Sequence, residues 1–147
     1  MRKFILILII ALAFFACDDK EPDPPQPHES TITAFGKTAT VTGDASISTA
    51  DFNTAKGKLE TAMVALYNSV SGIPSILKTF TDMLDRPGFE IIIETGNATP
   101  DADANKSMTI GVDYLLNTDA TSDSTEPGSS IAQDIFNKVR RDNAFAD

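Results

Sequence analysis

The chain has 147 residues, 41% of them apolar, with one cysteine, one histidine, no tryptophan and a formal charge of −9. That length holds one domain with a modest core, and a lone cysteine excludes an intrachain disulfide. The acidic excess argues against a nucleic acid as partner, because a phosphate polyanion is repelled at long range.

Arg2 and Lys3 open the chain, and residues 4–16 follow as an apolar run without a charge, the layout of an export signal. As a helix, that run covers about 20 Å against a hydrocarbon core of about 30 Å. Cleavage is therefore expected, not a span. The run closes on Phe14-Phe15-Ala16-Cys17, and in these residues the N-terminus resembles the bacterial lipoprotein family. The resemblance covers about the first twenty residues. It implies that a peptidase cuts before Cys17, that the Cys17 thiol carries a diacylglycerol, and that the freed amine is acylated, so the membrane becomes a partner through lipid. Asp18-Asp19-Lys20-Glu21 is similar to the sorting region of that family, in which acidic residues direct the product among inner membrane, outer membrane and cell surface.

Residues 18–30 hold Pro22, Pro24, Pro25 and Pro27, several acids and no large apolar side chain, the composition of an extended, polyproline-like stalk. His28 lies within this stretch, which argues against a metal ligand or catalytic base there, since a stalk does not hold an imidazole in fixed geometry. The expected organisation is thus a signal over residues 1–16, a lipidated Cys17 with its stalk over residues 17–30, and one globular domain over residues 31–147.

Residues 31–42 alternate threonine with apolar side chains around Gly36-Lys37 and predict two short strands joined by a tight turn. Phe52, Ala55, Leu59, Ala62, Met63, Leu66 and Val70 then recur at steps of three and four, the stripe of an amphipathic helix. Ser48 or Thr49 can cap its start, Asp51 suits its first turn, and Gly72 offers a left-handed stop. Pro74 opens a second helix with Ile76, Leu77, Phe80, Met83 and Leu84 inward, ended by Arg86-Pro87-Gly88. Residues 89–94 and 107–116 predict two more strands, with Met108, Ile110, Val112, Tyr114 and Leu116 on one face of the second. Antiparallel pairing across the polar residues 95–106 is the simplest arrangement. A last helix places Ile131, Ile135, Phe136 and Val139 inward and Lys138, Arg140 and Arg141 near its C-terminus. The expected fold is α+β, a small antiparallel sheet in the order ββ-αα-ββ-α with helices packed on one face.

Few residues carry chemistry. Asp101, Asp103, Asn105 and Ser107 present oxygen donors at alternate positions, as a calcium loop does. They form the candidate metal site, and calcium is the only cofactor the sequence suggests. Against it, Lys106 stands where the loop needs glycine and Val112 where it needs a bidentate glutamate, while the same residue types also favour turns. Gly36-Lys37-Thr38 has the ending of a phosphate loop, but Thr31 occupies the position of its first glycine. Glu90 and Glu94 share a strand face, with Asp113 across the expected hairpin, which gives a carboxylate set for hydrolysis; the same alternation marks the solvent side of a half-buried sheet. No catalytic residue is expected. The sequence points to a lipid-anchored binding or interaction module outside the cytoplasm, with a protein of the envelope or cell surface as candidate partner. The alternatives are a metal-dependent or hydrolytic enzyme using Glu90, Glu94, Asp101 or Asp103, and a purely structural envelope protein.

Overall fold

The computed structural model describes residues 24–103, 107–121 and 130–142. Strand β1 (His28–Ala34) and strand β2 (Lys37–Gly43) pair antiparallel, with Ala34 opposite Lys37. Phe35 and Gly36 join them, both at positive φ, 55° and 71°. This mirror-image turn suits the twist of a hairpin. It sits one residue before the expected Gly36-Lys37 because Lys37 is already in the ladder. Of the residues expected to form a stalk, His28, Glu29 and Ser30 belong to β1, and residues 17–23 lie outside the described residues. His28 Nε2 lies 2.6 Å from the Ile47 carbonyl, and its ring stacks on Phe52 at 4.7 Å.

Helix α1 (Thr49–Val70) buries all seven residues of its predicted stripe. The Ser48 hydroxyl oxygen accepts from the Asp51 amide at 3.1 Å and donates to the Asp51 carboxylate at 2.7 Å. Gly72 does not take the expected left-handed conformation. The helix closes instead with the Ser71 amide on the Tyr67 carbonyl, and the Ile73 amide on the Val70 carbonyl leads directly into α2 (Pro74–Leu84). Phe80, Met83 and Leu84 of α2 are buried.

Strand β3 (Glu90–Glu94) lies parallel to β2, so α1 and α2 together form the crossover between two parallel strands. Strand β4 (Asp101–Asp103) takes the sheet edge, and strand β5 (Ser107–Gly111) runs back between β3 and β4. The sheet therefore has five strands in the order β1-β2-β3-β5-β4, mixed and not antiparallel, because β5 is parallel to β3 and antiparallel only to β4. Residues 95–100 cross the end of β5 to reach that edge. There the Gly111 amide donates to the Ala98 carbonyl and the Asp113 amide to the Gly96 carbonyl, at 2.8 and 2.9 Å. The amides that would extend β5 are thus engaged by the crossing chain, and the strand expected to continue through residue 116 stops at Gly111. Helix α3 (Val112–Asn117) follows, burying Val112, Tyr114 and Leu115.

Helix α4 (Ile131–Asp142) buries Ile131, Ile135 and Val139. The buried strand residues Ile32, Ala34, Ala39, Val41, Ile91, Ile93, Met108 and Ile110 share one sheet face and join the helices in a single core. On the other face Thr31, Thr33 and Thr38 are exposed, and Thr40, Thr42, Glu90, Ile92, Glu94 and Thr109 are half-buried. The helices therefore cover one side of the sheet, as expected from the sequence. Among the described residues, no helix is long and apolar enough to cross a membrane.

Candidate functional site

The lipidation candidate Cys17 and the whole of residues 1–16 lie outside the described residues, as does Asn105. Of the other calcium candidates, Asp101 and Asp103 are the ends of β4, and Ser107 opens β5 directly opposite Asp103. The segment is a strand, not a loop wrapped around a central point. Asp101 sits on the edge with its carboxylate 2.7 Å from Lys138 Nζ of α4. That hydrogen bond, and then the ammonium charge, hold the Asp101 carboxyl below the usual carboxylate range. A cation is already supplied there by the protein itself. Among the described residues, no three His, Cys, Asp or Glu side chains gather closely enough to hold a metal ion.

Glu90 and Glu94 project from the open sheet face, half-buried, four residues apart on one strand. At about 3.3 Å per residue their backbones are about 13 Å apart, well beyond the carboxyl spacing of either glycosidase geometry. Asp113 does not lie across a hairpin from them. It is exposed in the first turn of α3, beyond the end of β5.

Polar contacts tie α1, α3 and α4 together. The buried Tyr114 hydroxyl donates to the Asp134 carboxylate at 2.6 Å, tying α3 to α4. Burial first, and then the neighbouring Asp134, push the Tyr114 phenol well above its ordinary range. Lys58 Nζ donates to the Leu116 and Thr118 carbonyls at 2.6 and 3.0 Å, capping the C-terminus of α3 with a cation. At the start of α4, the Ile131 and Ala132 amides are taken by the Asp119 and Ala120 carbonyls, and the Gln133 amide by the Ser130 hydroxyl. The donors that make a helix N-terminus attractive to anions are therefore already satisfied.

A groove of about 290 Å³ lies between the C-terminal half of α1 and the first turns of α4. Leu66, Val70, Ile73, Ala132 and Phe136 form its apolar part, and Ser69, Thr121, Ser130 and Gln133 make the rest of the lining polar. Ser69 donates to the Leu66 carbonyl, Gln133 donates to Asn137, and the Ser130 hydroxyl oxygen accepts from the Gln133 amide. Ile73, 45% exposed, carries uncovered apolar surface into the groove. The sequence concealed this site, because Leu66 and Val70 read as the core stripe of α1 and Phe136, more than sixty positions on, as that of α4, and they share one surface only when α4 docks on α1. Compared with protein-family models, with curated proteins and with solved structures, the chain finds no match.

Proposed function

We propose that this protein is a lipid-anchored binding module that works outside the cytoplasm, without an enzymatic activity of its own. The observation that carries the reading is the N-terminal pattern: a basic start, an uncharged apolar run over residues 4–16, Cys17, and then an acidic, proline-rich tether before β1. Two acyl chains on Cys17 hold a protein to a bilayer far more firmly than one. The groove between α1 and α4 supplies the binding surface. Its volume is at the lower limit for a small-molecule pocket, and its mixed lining, with the exposed Ile73 side chain at its mouth, suits the side chains of a protein partner.

Two measurements on the full chain, expressed in a bacterium, test this reading. Growth with an alkyne fatty acid labels the chain and places it in the membrane fraction, and Cys17→Ser loses both label and fractionation. A photoreactive amino acid in place of Gln133 captures a protein of the envelope, and Ala132→Glu, which puts a charge into the groove, removes the adduct. A chain that stays unlabelled and in the soluble fraction overturns the anchor, and an adduct indifferent to Ala132→Glu overturns the groove as its binding surface.

A further inference from the structure

We propose that β1 pairs with β1 of a second copy of this chain, in antiparallel register about a two-fold axis at Thr31, to make one sheet continuous across both copies. In a two-residue hairpin the residues that close the turn, here Ala34 and Lys37, exchange both of their backbone hydrogen bonds, and such bonded pairs recur at every second residue. With the register His28 opposite Gly43 through Ala34 opposite Lys37, residues 28, 30, 32 and 34 bond to β2. Glu29, Thr31 and Thr33 therefore direct their N–H and C=O groups away from the sheet. All three are exposed, and among the described residues no loop amide or carbonyl bonds to them.

The two edges of the sheet are treated differently. At the β4 edge the strand has three residues, and the Asp101–Lys138 ion pair sits on it. Short length and charge are both devices that discourage a further strand. At the β1 edge the strand has seven residues in unbroken register, with no lysine, proline or bulge and with Glu29 as its one carboxylate. Thr31 is the midpoint of those seven residues, and the outward groups lie symmetrically about it. A two-fold axis there places Thr31 opposite Thr31 of the second copy and Glu29 opposite its Thr33. Every outward N–H and C=O of the three residues then finds a partner, in three pairs that each exchange two bonds. No carboxylate faces another, since the two Glu29 side chains stand about four residues, or 13 Å, apart along the strands. That exceeds the Debye length of about 8 Å at physiological salt.

A strand-edge contact is small beside a standard interface, so the pairing is transient and covalent capture is the suitable measurement. The full chain carries a benzophenone amino acid in place of Thr33 and is photolysed in the expressing cells. The expected product is a dimer whose cross-link maps by mass spectrometry to residues 28–30 of the second copy. Thr31→Pro removes an outward amide while leaving the bonds to β2 intact, as prolines on edge strands do, and should lower the yield at least about tenfold. As a second probe independent of any strain from proline, Thr31→Lys and Thr31→Glu each lower the yield, and co-expression of the two restores it, because this position meets itself across the axis. Cross-links to a different protein, cross-links elsewhere on a second copy, or a yield unchanged by all three variants would overturn the proposal.

Discussion

At the scale of single residues, magnitudes decide which of two opposing effects wins. Phe35 adopts a left-handed conformation at φ 55°, which costs a residue with a Cβ about 1–2 kcal/mol. Its ring is buried, stacked on Phe80 at 5.1 Å and met edge-on by Tyr67 at 5.4 Å. Burial of such a side chain is worth about 1.5–3 kcal/mol and each aromatic pair about 0.5–1.5 kcal/mol more. Packing wins, and Phe35→Asn, which suits the turn better, should still destabilise the fold by about 2 kcal/mol in urea denaturation. Gly111 is needed for a different reason: a Cβ there would lie 2.4 Å from both the Gly96 carbonyl oxygen and the Ala98 nitrogen. Backbone on both sides cannot yield as a side-chain tip would. Gly111→Ala should cost about 3 kcal/mol by the same measurement, the upper range for overpacking.

Tyr114 gives a residue-scale effect that depends on pH. Its phenol is raised in the folded chain by burial and by Asp134, so the folded state holds the proton more tightly than the unfolded chain, whose tyrosines titrate near pH 10. The resulting stability is fully present below about pH 10 and is lost as the pH rises beyond it. Removing the hydroxyl in Tyr114→Phe should cost about 1 kcal/mol at neutral pH. It should also flatten the fall of the urea midpoint above about pH 10, and a fall as steep as that of the native chain would place the alkaline loss elsewhere.

At the scale of elements, α1 shows how local rules and tertiary packing agree. Ser48 and Asp51 satisfy its first turn, and Ser48→Ala should cost about 1 kcal/mol in a thermal or urea midpoint, the usual value of a lost N-cap. The same reading of propensity fails at residues 112–117. Val112, Tyr114 and Leu116 alternate like a strand, yet β5 ends at Gly111 because the crossing residues 96–98 occupy the amides that a longer ladder would use. Strand β4 is equally hidden: Asp101-Ala102-Asp103 has low β-propensity, and only the register with β5 makes it a strand. His28 reads as part of a polar stalk, and becomes structural through a ring stack on Phe52 and a bond to Ile47, both distant in sequence.

At the scale of the whole molecule, 21 acidic side chains against 12 basic ones leave an excess of negative charge spread over one small core. Self-repulsion of that charge works against the compact state, while the visible ion pairs, such as Lys37 with Asp85 and Lys56 with Glu60, are surface contacts worth little. Raising salt from about 0.01 to about 0.15 M shortens the Debye length from about 30 to about 8 Å. The melting temperature should therefore rise over that interval, whereas a fall would mean that the ion pairs outweigh the repulsion.

What the sequence determined by itself was the set of features that depend on neighbours along the chain. The stripe of α1 with its cap, the β1–β2 hairpin, the inward faces of α2 and α4, and the placing of helices on one side of a sheet all follow from residue spacing and turn chemistry. The proposed lipid anchor rests on the apolar run of residues 4–16 and on Cys17 in the sequence alone. Tertiary structure decided whatever depends on which segments meet. It set the parallel alignment of β2, β3 and β5, the insertion of β5 between β3 and β4, the end of that strand at a glycine crossed by another loop, and the groove where α4 meets α1. Strand partners lie far apart in sequence, and hydrophobic alternation fixes which face of a strand is buried without fixing its neighbour or its direction.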